Sequence, residues 1–166
     1  FKVDMPKIAI YTAVFGACDS LKSQPPQNPA VDFHCFTDQP LALDGVTVTF
    51  VPADGRPPNL QAKEYKVLPH RVPELSGYDY TIWIDGSMQI ERPDFTAWAL
   101  AHPHPSGLAV FKDPSLACIY DEAAAMAHTR KYADMPIAAQ ADAYRALNYP
   151  AHNGLYTCGL ILRDMH

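Results

Sequence analysis

The residues best suited to chemistry in this chain include carboxylates that directly follow hydrophobic runs. Asp85 follows the run YTIWI in the segment YDYTIWIDGSMQIE, and Ser87 lies two residues later. A carboxylate is the hard oxygen ligand that Mg²⁺ or Mn²⁺ prefers, and the Ser87 hydroxyl adds a neutral oxygen. Asp-Gly between apolar runs is also typical of a β-hairpin turn. The segment therefore predicts either a metal ligand or a turn.

Two lysines in the segment NLQAKEYKVLPH form a second candidate site. The segment is typical of a helix over residues 59–68, with Asn59 as its N-cap. Lys63 and Lys66 are three positions apart, so their ammonium groups lie on the same side of the helix. Such a pair can hold a diphosphate through charge-assisted hydrogen bonds. A solvated helix surface accounts for the same pattern, so both interpretations stay open.

Polar groups also follow the first two predicted strands. Gly16 and Asp19 lie in YTAVFGACDS, and Asp38 lies in FTDQP. Open α/β sheets bind ligands at the carboxyl ends of their strands, which would bring these groups near one another. An ordinary exit from a strand into a loop explains the spacing equally well, since one glycine is no phosphate-loop fingerprint.

Other polar residues are assigned structural roles. Asp121 and Glu122 lie in the first turn of a predicted helix, where they complement the helix dipole. His102 and His104 lie in a proline-rich loop and are predicted to be surface residues. The cysteines form no C-x-x-C pair, which excludes a zinc ribbon and a redox motif, and we expect buried thiols. The cysteines are Cys18, Cys35, Cys118 and Cys158.

The elements that must position these groups alternate along the chain. Runs rich in β-branched and aromatic residues predict strands at 7–15, 31–37, 46–51, 80–84, 108–112 and 155–162. Segments with helical periodicity predict helices at 59–68, 95–101, 119–128 and 137–147. This alternation favours an α/β fold, with a mainly parallel sheet flanked by helices.

Size and charge narrow the function further. The chain has 166 residues and a formal net charge of −5, which fits one domain and argues against a nucleic-acid-binding module. It contains no apolar run long enough to span a membrane and no signal peptide, so we expect a cytoplasmic protein. Phe1–Asp4 precede a natural start at Met5 and are interpreted as an expression remnant, unless the chain is cut from a longer protein.

Six segments, in order, resemble the glycosyltransferase-like family known from plant mucilage-related transferases and a plant alkaline ceramidase. They are KIAIYTAVFGACDSL, VDFHCFTDQP, AKEYKVLPH, YDYTIWIDGSMQI, VFKDPSLACIYDEA and GLYTCGLILR. The arrangement is also similar to the glycogenin-like and bacterial galactosyltransferase-like family. The resemblance implies a single GT-A-like domain over residues 5–166, whose family relatives continue past a final Arg-x-x-His. It also implies a nucleoside diphosphate sugar donor, a carbohydrate acceptor and a divalent metal, Mn²⁺ or Mg²⁺.

The resemblance also implies roles for individual residues. Asp38 would lie near the base or ribose, and Gly159 would lie where the donor sugar or acceptor passes. Asp85 corresponds to the first carboxylate of an Asp-x-Asp metal motif, whose third position is Ser87 here. Lys63 and Lys66 would face the diphosphate. The residues lining the nucleotide pocket would be Thr12, Ala13 and Phe15.

The predicted function is transfer of a sugar from a nucleoside diphosphate to a hydroxyl acceptor. Asp85, Lys63 and Lys66 are the expected catalytic residues, because the charge on the leaving diphosphate must be stabilised. A non-catalytic nucleotide-sugar or glycan-binding domain is one alternative. A ceramidase-type amidase is another, but it would need a metal-bound water held by several ligands, and no such cluster is apparent. The sugar, the base, the stereochemical outcome and the oligomeric state stay open.

Overall fold

A computed structural model of the protein describes residues 5–102 and 105–166. The interpretation of Phe1–Asp4 as a remnant and the surface prediction for His104 therefore lie outside the described residues. His102 is exposed, as predicted, and its Nδ1 lies 2.7 Å from the carbonyl oxygen of Trp98.

Six strands form one mostly parallel sheet in the order β3-β2-β1-β4-β6-β5. Strand β1 pairs in parallel with β2 and with β4, and β2 pairs in parallel with β3. Strand β6 runs antiparallel to β4. The predicted α/β class with a mainly parallel sheet is confirmed. The strands are β1 (Ile8–Val14), β2 (Asp32–Thr37), β3 (Val46–Phe50), β4 (Tyr80–Ile84), β5 (Leu108–Lys112) and β6 (Tyr156–Asp164).

The helices lie close to the predicted segments. They are α1 (Pro58–Val67), α2 (Phe95–Leu100), α3 (Ile119–Met126) and α4 (Ile137–Ala146), with short 3₁₀ turns at Pro69–Arg71, Pro73–Leu75 and Arg130–Tyr132. The predicted N-cap Asn59 is wrong, because α1 begins at Pro58 with Pro57 as its N-cap. Proline suits the first helical position, where its fixed φ is helical and no N–H is required. Among the described residues, no helix has the length and apolar character needed to cross a membrane.

The chain divides into two compact units. The first comprises the residues up to Ala109 together with Gly159–His166, and it contains β1 to β4, α1 and α2. The second is Val110–Cys158, which contains α3 and α4. Strands β5 and β6 each begin in one unit and end in the other. The single GT-A-like domain expected over 5–166 stays a prediction.

The first unit has a hydrophobic layer on each face of its sheet, because side chains alternate along a strand. On one face Ile8 and Ile10 of β1 join Ile82 of β4 and Ala99 of α2 in a buried cluster. Burying each large side chain contributes roughly 1.5–3 kcal/mol. The other face carries the aromatic side chains that pack under α1. They are Tyr11, Phe15, Phe36 and Trp83.

The Asp85–Gly86 pair does not form a hairpin. Strand β4 ends at Ile84, and the N–H of Met88 donates to the carbonyl oxygen of Asp85 at 2.9 Å, which closes a tight turn. The next regular element is α2, so the hairpin interpretation is wrong. Asp85 instead stands at the carboxyl end of a buried strand.

The cysteines divide into two buried and two exposed thiols. Cys35 and Cys118 are buried, whereas Cys18 and Cys158 are exposed. The expectation of buried thiols is therefore wrong for Cys18 and Cys158. Cys18 lies in the loop after β1, and Cys158 lies in the exposed first half of β6, where apolar neighbours do not enclose it.

Candidate functional site

The loop after β1 holds the first turn of α1 in place. Gly16 has a φ of +61°, and a Cβ there would lie 2.6 Å from Cγ of Pro58. The N–H of Gly16 donates to both carboxylate oxygens of Asp38, at 3.0 and 3.1 Å. Hydrogen bonds from the Gln39 side chain and from Gly16 hold the pKa of Asp38 below its usual value. Asp38 thus fixes the backbone that faces the start of α1.

The last turn of α1 is fixed by two other side chains. The Tyr11 hydroxyl donates to the carbonyl oxygen of Tyr65 at 3.1 Å, and Nη2 of Arg163 donates to that of Lys66 at 2.6 Å. A cation at this end complements the helix dipole. Burial raises the pKa of Tyr11 to about 12, so its hydroxyl keeps the proton that it donates. Helix α1 is thereby tied to β1 and β6.

Lys66 and Asp85 are in direct contact at the carboxyl end of β4. Lys66 Nζ lies 2.9 Å from Asp85 Oδ1, and Nε1 of Trp83 donates to the same oxygen at 2.8 Å. The ammonium group also lies 5.6 Å from the centroid of the indole ring. The Lys66 side chain is only 18% exposed, whereas that of Asp85 is 42% exposed. Lys66 is therefore held in one position, and Asp85 is open to solvent.

Two glycines border Asp85. A Cβ at Gly159 would lie 3.5 Å from Asp85 Oδ2, and the N–H of Asp85 donates to the carbonyl oxygen of Gly159 at 2.9 Å. A Cβ at Gly86 would lie 3.4 Å from Oδ2 of Asp19, whose side chain is exposed. The Met88 side chain also lies here, since its Sδ would be 3.2 Å from a Cβ at Gly159. The structure thus brings the predicted site residues Asp85 and Gly159 together.

Lys63 lies one helical turn before Lys66 and is exposed. Residues three apart on a helix are neighbours on its surface, so Lys63 extends the positive side that Lys66 begins. Within residues 5–102 and 105–166, Lys63 has no hydrogen-bond or ion-pair partner. Its ammonium group is therefore free to bind an anion.

Thr12 is not brought to Asp85. The Thr12 hydroxyl is buried, lacks a partner among the described residues, and lies on the face of β1 opposite Tyr11. It lines a narrow gap with Leu21 and Lys22. Successive side chains of a strand point to opposite faces of the sheet. Because Tyr11 points toward α1, the next residue, Thr12, points away from α1.

The other predicted residues divide between interior and surface. Ala13 and Phe15 are buried, and the Phe15 ring packs against Tyr65 at 5.7 Å between centroids. Both residues pack beneath α1, and their side chains expose little surface to a ligand. Ser87 is exposed in the turn after β4. Its hydroxyl is open to solvent two residues after Asp85.

A cavity of about 230 Å³ lies against α1 but contains none of the predicted site residues, all of which the structure describes. Phe36 and Tyr65 supply aromatic walls. Its charged groups largely pair with one another, because Arg56 bridges Asp54 and Glu64. We assign this cavity no role in the site around Asp85.

Sequence reasoning missed Trp83, Arg163 and the contact between Lys66 and Asp85. Trp83 lies two residues before Asp85, so strand alternation alone places both side chains on one face. Arg163 had no such signal, because its place beside Thr81 depends on the antiparallel pairing of β6 with β4. The sequence places Asp19 in a polar loop, and no local pattern indicates that it lies beside Gly86.

Comparison with known protein families identifies the family of the chain. Residues 54–154 match the family described as "TOD1/MUCI70, glycosyltransferase-like domain". The matched region includes Lys63, Lys66, Asp85 and Ser87, and it ends before Gly159. None of the curated proteins compared with the chain matches it.

Proposed function

Because the chain belongs to the TOD1/MUCI70 glycosyltransferase-like family, we propose that it transfers a sugar from a nucleoside diphosphate sugar to a hydroxyl group of a carbohydrate acceptor. The observation that supports this most is the contact of Lys66 with Asp85, at 2.9 Å, where β4 ends. Ligands of open α/β sheets bind at this edge. Lys66, which is held in place, and Asp85, which is partly open to solvent, meet there.

The two lysines would stabilise the leaving diphosphate. Negative charge grows on that group as the bond to the sugar breaks, so donors already in place lower the barrier. Asp85 and Trp83 hold the Lys66 ammonium group in position before any ligand arrives. An ammonium group has three N–H donors, so Lys66 can bind a phosphate oxygen and keep its bond to Asp85. Lys63 would bind the same diphosphate from the preceding turn of α1.

The sugar would lie beside Asp85 Oδ2. This oxygen accepts no hydrogen bond from the described residues, whereas Oδ1 accepts two. Gly159 adds no side chain beside Oδ2, so a ring hydroxyl would reach this oxygen and donate to it once the flexible Met88 side chain, which lies against Gly159, moves aside. The carboxylate would then orient the sugar relative to the diphosphate.

The same oxygen suits a divalent cation. Mg²⁺ is commonly held by one or two carboxylates together with water and substrate phosphates, and Asp85 Oδ2 with Asp19 offers that donor set. Ser87 adds a neutral oxygen. When bound, the metal would supply positive charge near the phosphates. The Lys66 ammonium group already offsets the charge of Asp85, so we expect weak metal binding without a donor.

Release of free nucleoside diphosphate from a panel of donor sugars tests the proposal. Donors would first be screened by thermal shift with and without Mn²⁺, since a ligand at a hundred times its Kd stabilises a fold by about 2.7 kcal/mol. We expect one class of donor to stabilise the protein and to be cleaved. Lys66→Met should abolish cleavage, and Lys112→Met, at an exposed lysine of the second unit, should not. Failure of every donor to bind would overturn the proposal, and binding without cleavage in any acceptor mixture would identify a nucleotide-sugar-binding domain instead.

A further inference from the structure

Three metal-ligating side chains come together in the second unit. Cys118 immediately precedes α3, Asp121 lies in its first turn, and His152 lies in the loop between α4 and β6. One ligand atom from each residue lies within 4.8 Å of the other two. His152 Nδ1 is 3.9 Å from Asp121 Oδ2. No sequence motif marks this cluster, because the fold joins residues that are far apart in the chain.

The loop that carries His152 is held in an unusual conformation. His152 has a φ of +56°, which is in the left-handed region that few non-glycine residues adopt. Two residues later, the N–H of Gly154 donates to the carbonyl oxygen of Ala117 at 3.0 Å, directly before Cys118. Strained backbone of this kind concentrates at functional sites. The hydrogen bond from Gly154 holds this loop against the residue that precedes Cys118.

Cys118 is the buried member of this cluster, whereas Asp121 and His152 are exposed. Cys118 is 2% exposed, and its side chain makes no capping hydrogen bond to the first turn of α3. The thiolate is the form that binds metals.

We propose that Cys118, Asp121 and His152 bind a divalent metal that accepts sulfur ligands, namely Zn²⁺, with water as the fourth ligand. Sulfur, imidazole nitrogen and carboxylate oxygen are the donors that Zn²⁺ takes in tetrahedral sites, whereas Mg²⁺ and Ca²⁺ favour oxygen alone. Bonds of about 2.0–2.3 Å place tetrahedral ligand atoms roughly 3.3–3.7 Å apart. The His152 and Asp121 side chains are 71% and 58% exposed, so they are free to rotate through the small remaining distance.

Such a metal would link the first turn of α3 to the loop before β6, within one unit. It involves no residue of the site around Asp85, so this inference does not depend on the proposed sugar transfer. Metal binding to the folded protein alone would also raise its melting temperature.

A Co²⁺ titration of protein freed of metal by a chelator tests this site. Co²⁺ replaces Zn²⁺ in tetrahedral sites, and a bond to sulfur gives a charge-transfer absorption that water or carboxylate ligands do not give. We expect this absorption to saturate at one equivalent, to disappear when Zn²⁺ is added, and to be absent in Cys118→Ser. The exposed cysteines supply matched controls, since Cys18→Ser and Cys158→Ser should leave the absorption unchanged.

A second variant guards against loss of folding in Cys118→Ser. His152→Asn removes the imidazole and retains a residue type that tolerates positive φ. We expect it to weaken Co²⁺ binding at least tenfold while its circular dichroism stays native. Absence of the charge-transfer absorption in the wild-type protein would overturn the proposal. So would its persistence at wild-type affinity in either variant, or its loss in Cys158→Ser.

Discussion

At Asp85 the two carboxylate oxygens have different surroundings. Oδ1 accepts from Lys66 and Trp83, and Oδ2 lies beside Gly159 and accepts no hydrogen bond from the described residues. One oxygen therefore positions a lysine, and the other is available to a ligand. The sequence predicts Lys66 as a diphosphate-binding lysine and Asp85 as a metal-binding carboxylate, but it does not predict that the two are in contact.

Asp85→Asn separates these two roles. The amide oxygen can still accept from Trp83, but the ion pair with Lys66 is lost, and a partly exposed pair contributes about 1 kcal/mol at most. We expect the variant to fold, and its donor binding to become independent of Mn²⁺ because a neutral amide is a poor ligand for a hard cation. Thermal shift with and without Mn²⁺ measures this. If donor binding by the wild-type protein is already independent of Mn²⁺, Asp85 does not bind a metal together with the donor.

Burial of the Tyr11 hydroxyl predicts that the stability of the protein decreases at high pH. Burial raises the pKa of Tyr11 to about 12 from 10.0, so the folded state retains a proton that the unfolded chain loses. The resulting stability is fully present below pH 10 and is lost as the pH rises toward 12. We expect wild type to lose roughly 2–3 kcal/mol more than Tyr11→Phe between these pH values. Urea unfolding of both proteins measures this difference, and equal losses would contradict the burial of the hydroxyl.

At the scale of elements, the position of α1 depends on a close approach of the Gly16 backbone to the Pro58 ring in the first turn of the helix. The missing Cβ of Gly16 lets the loop after β1 approach Pro58, and its N–H binds Asp38. The last turn is held independently by Tyr11 and Arg163. Helix α1 is thereby fixed at both ends, which sets the position of both lysines.

Gly16→Ala tests the first of these contacts. A Cβ there would lie 2.6 Å from Pro58, whereas at Gly45, with a φ of +73°, a Cβ would meet nothing within 4 Å. Gly45→Ala is the matched control, because both substitutions place an alanine in the left-handed region, which costs about 1–2 kcal/mol. Overpacking should destabilise Gly16→Ala by roughly 1–3 kcal/mol beyond that. Urea denaturation gives the difference between the two variants, and equal stabilities would mean that the contact with Pro58 is easily relieved.

At the scale of the whole molecule, periodicity was enough to predict the elements but not all of their contacts. All six strands and four helices occur where hydrophobic runs and turn residues indicated them. Aromatic and β-branched runs reveal a strand but not its neighbour. The antiparallel place of β6, and with it the contacts of Arg163, could not be predicted. The position of His152 beside Cys118 likewise depends on a loop conformation that leaves no local pattern.

The candidate site was predictable in part for the same reason. Asp85 was found because a polar residue ends a buried strand, and Lys66 because of helical spacing. Their contact with each other requires α1 to lie across β1 beside β4, which no local pattern specifies. Thr12 lies on the face of β1 that points away from α1, because its neighbour Tyr11 points toward the helix. The sequence shows that side chains alternate along this strand, but it does not show which of the two faces packs against α1.

The proposed sugar transfer requires the positive side of α1 to bind the diphosphate of a sugar donor at Asp85. Calorimetric titration of nucleoside diphosphates tests it most directly, using wild type, the double variant Lys63→Met/Lys66→Met, and the control Lys22→Met/Lys112→Met. A charge-assisted hydrogen bond contributes roughly 1.5–3 kcal/mol, so loss of both lysines should weaken binding at least tenfold. The control should bind as wild type does. Equal affinity of wild type and the Lys63→Met/Lys66→Met variant would contradict the account.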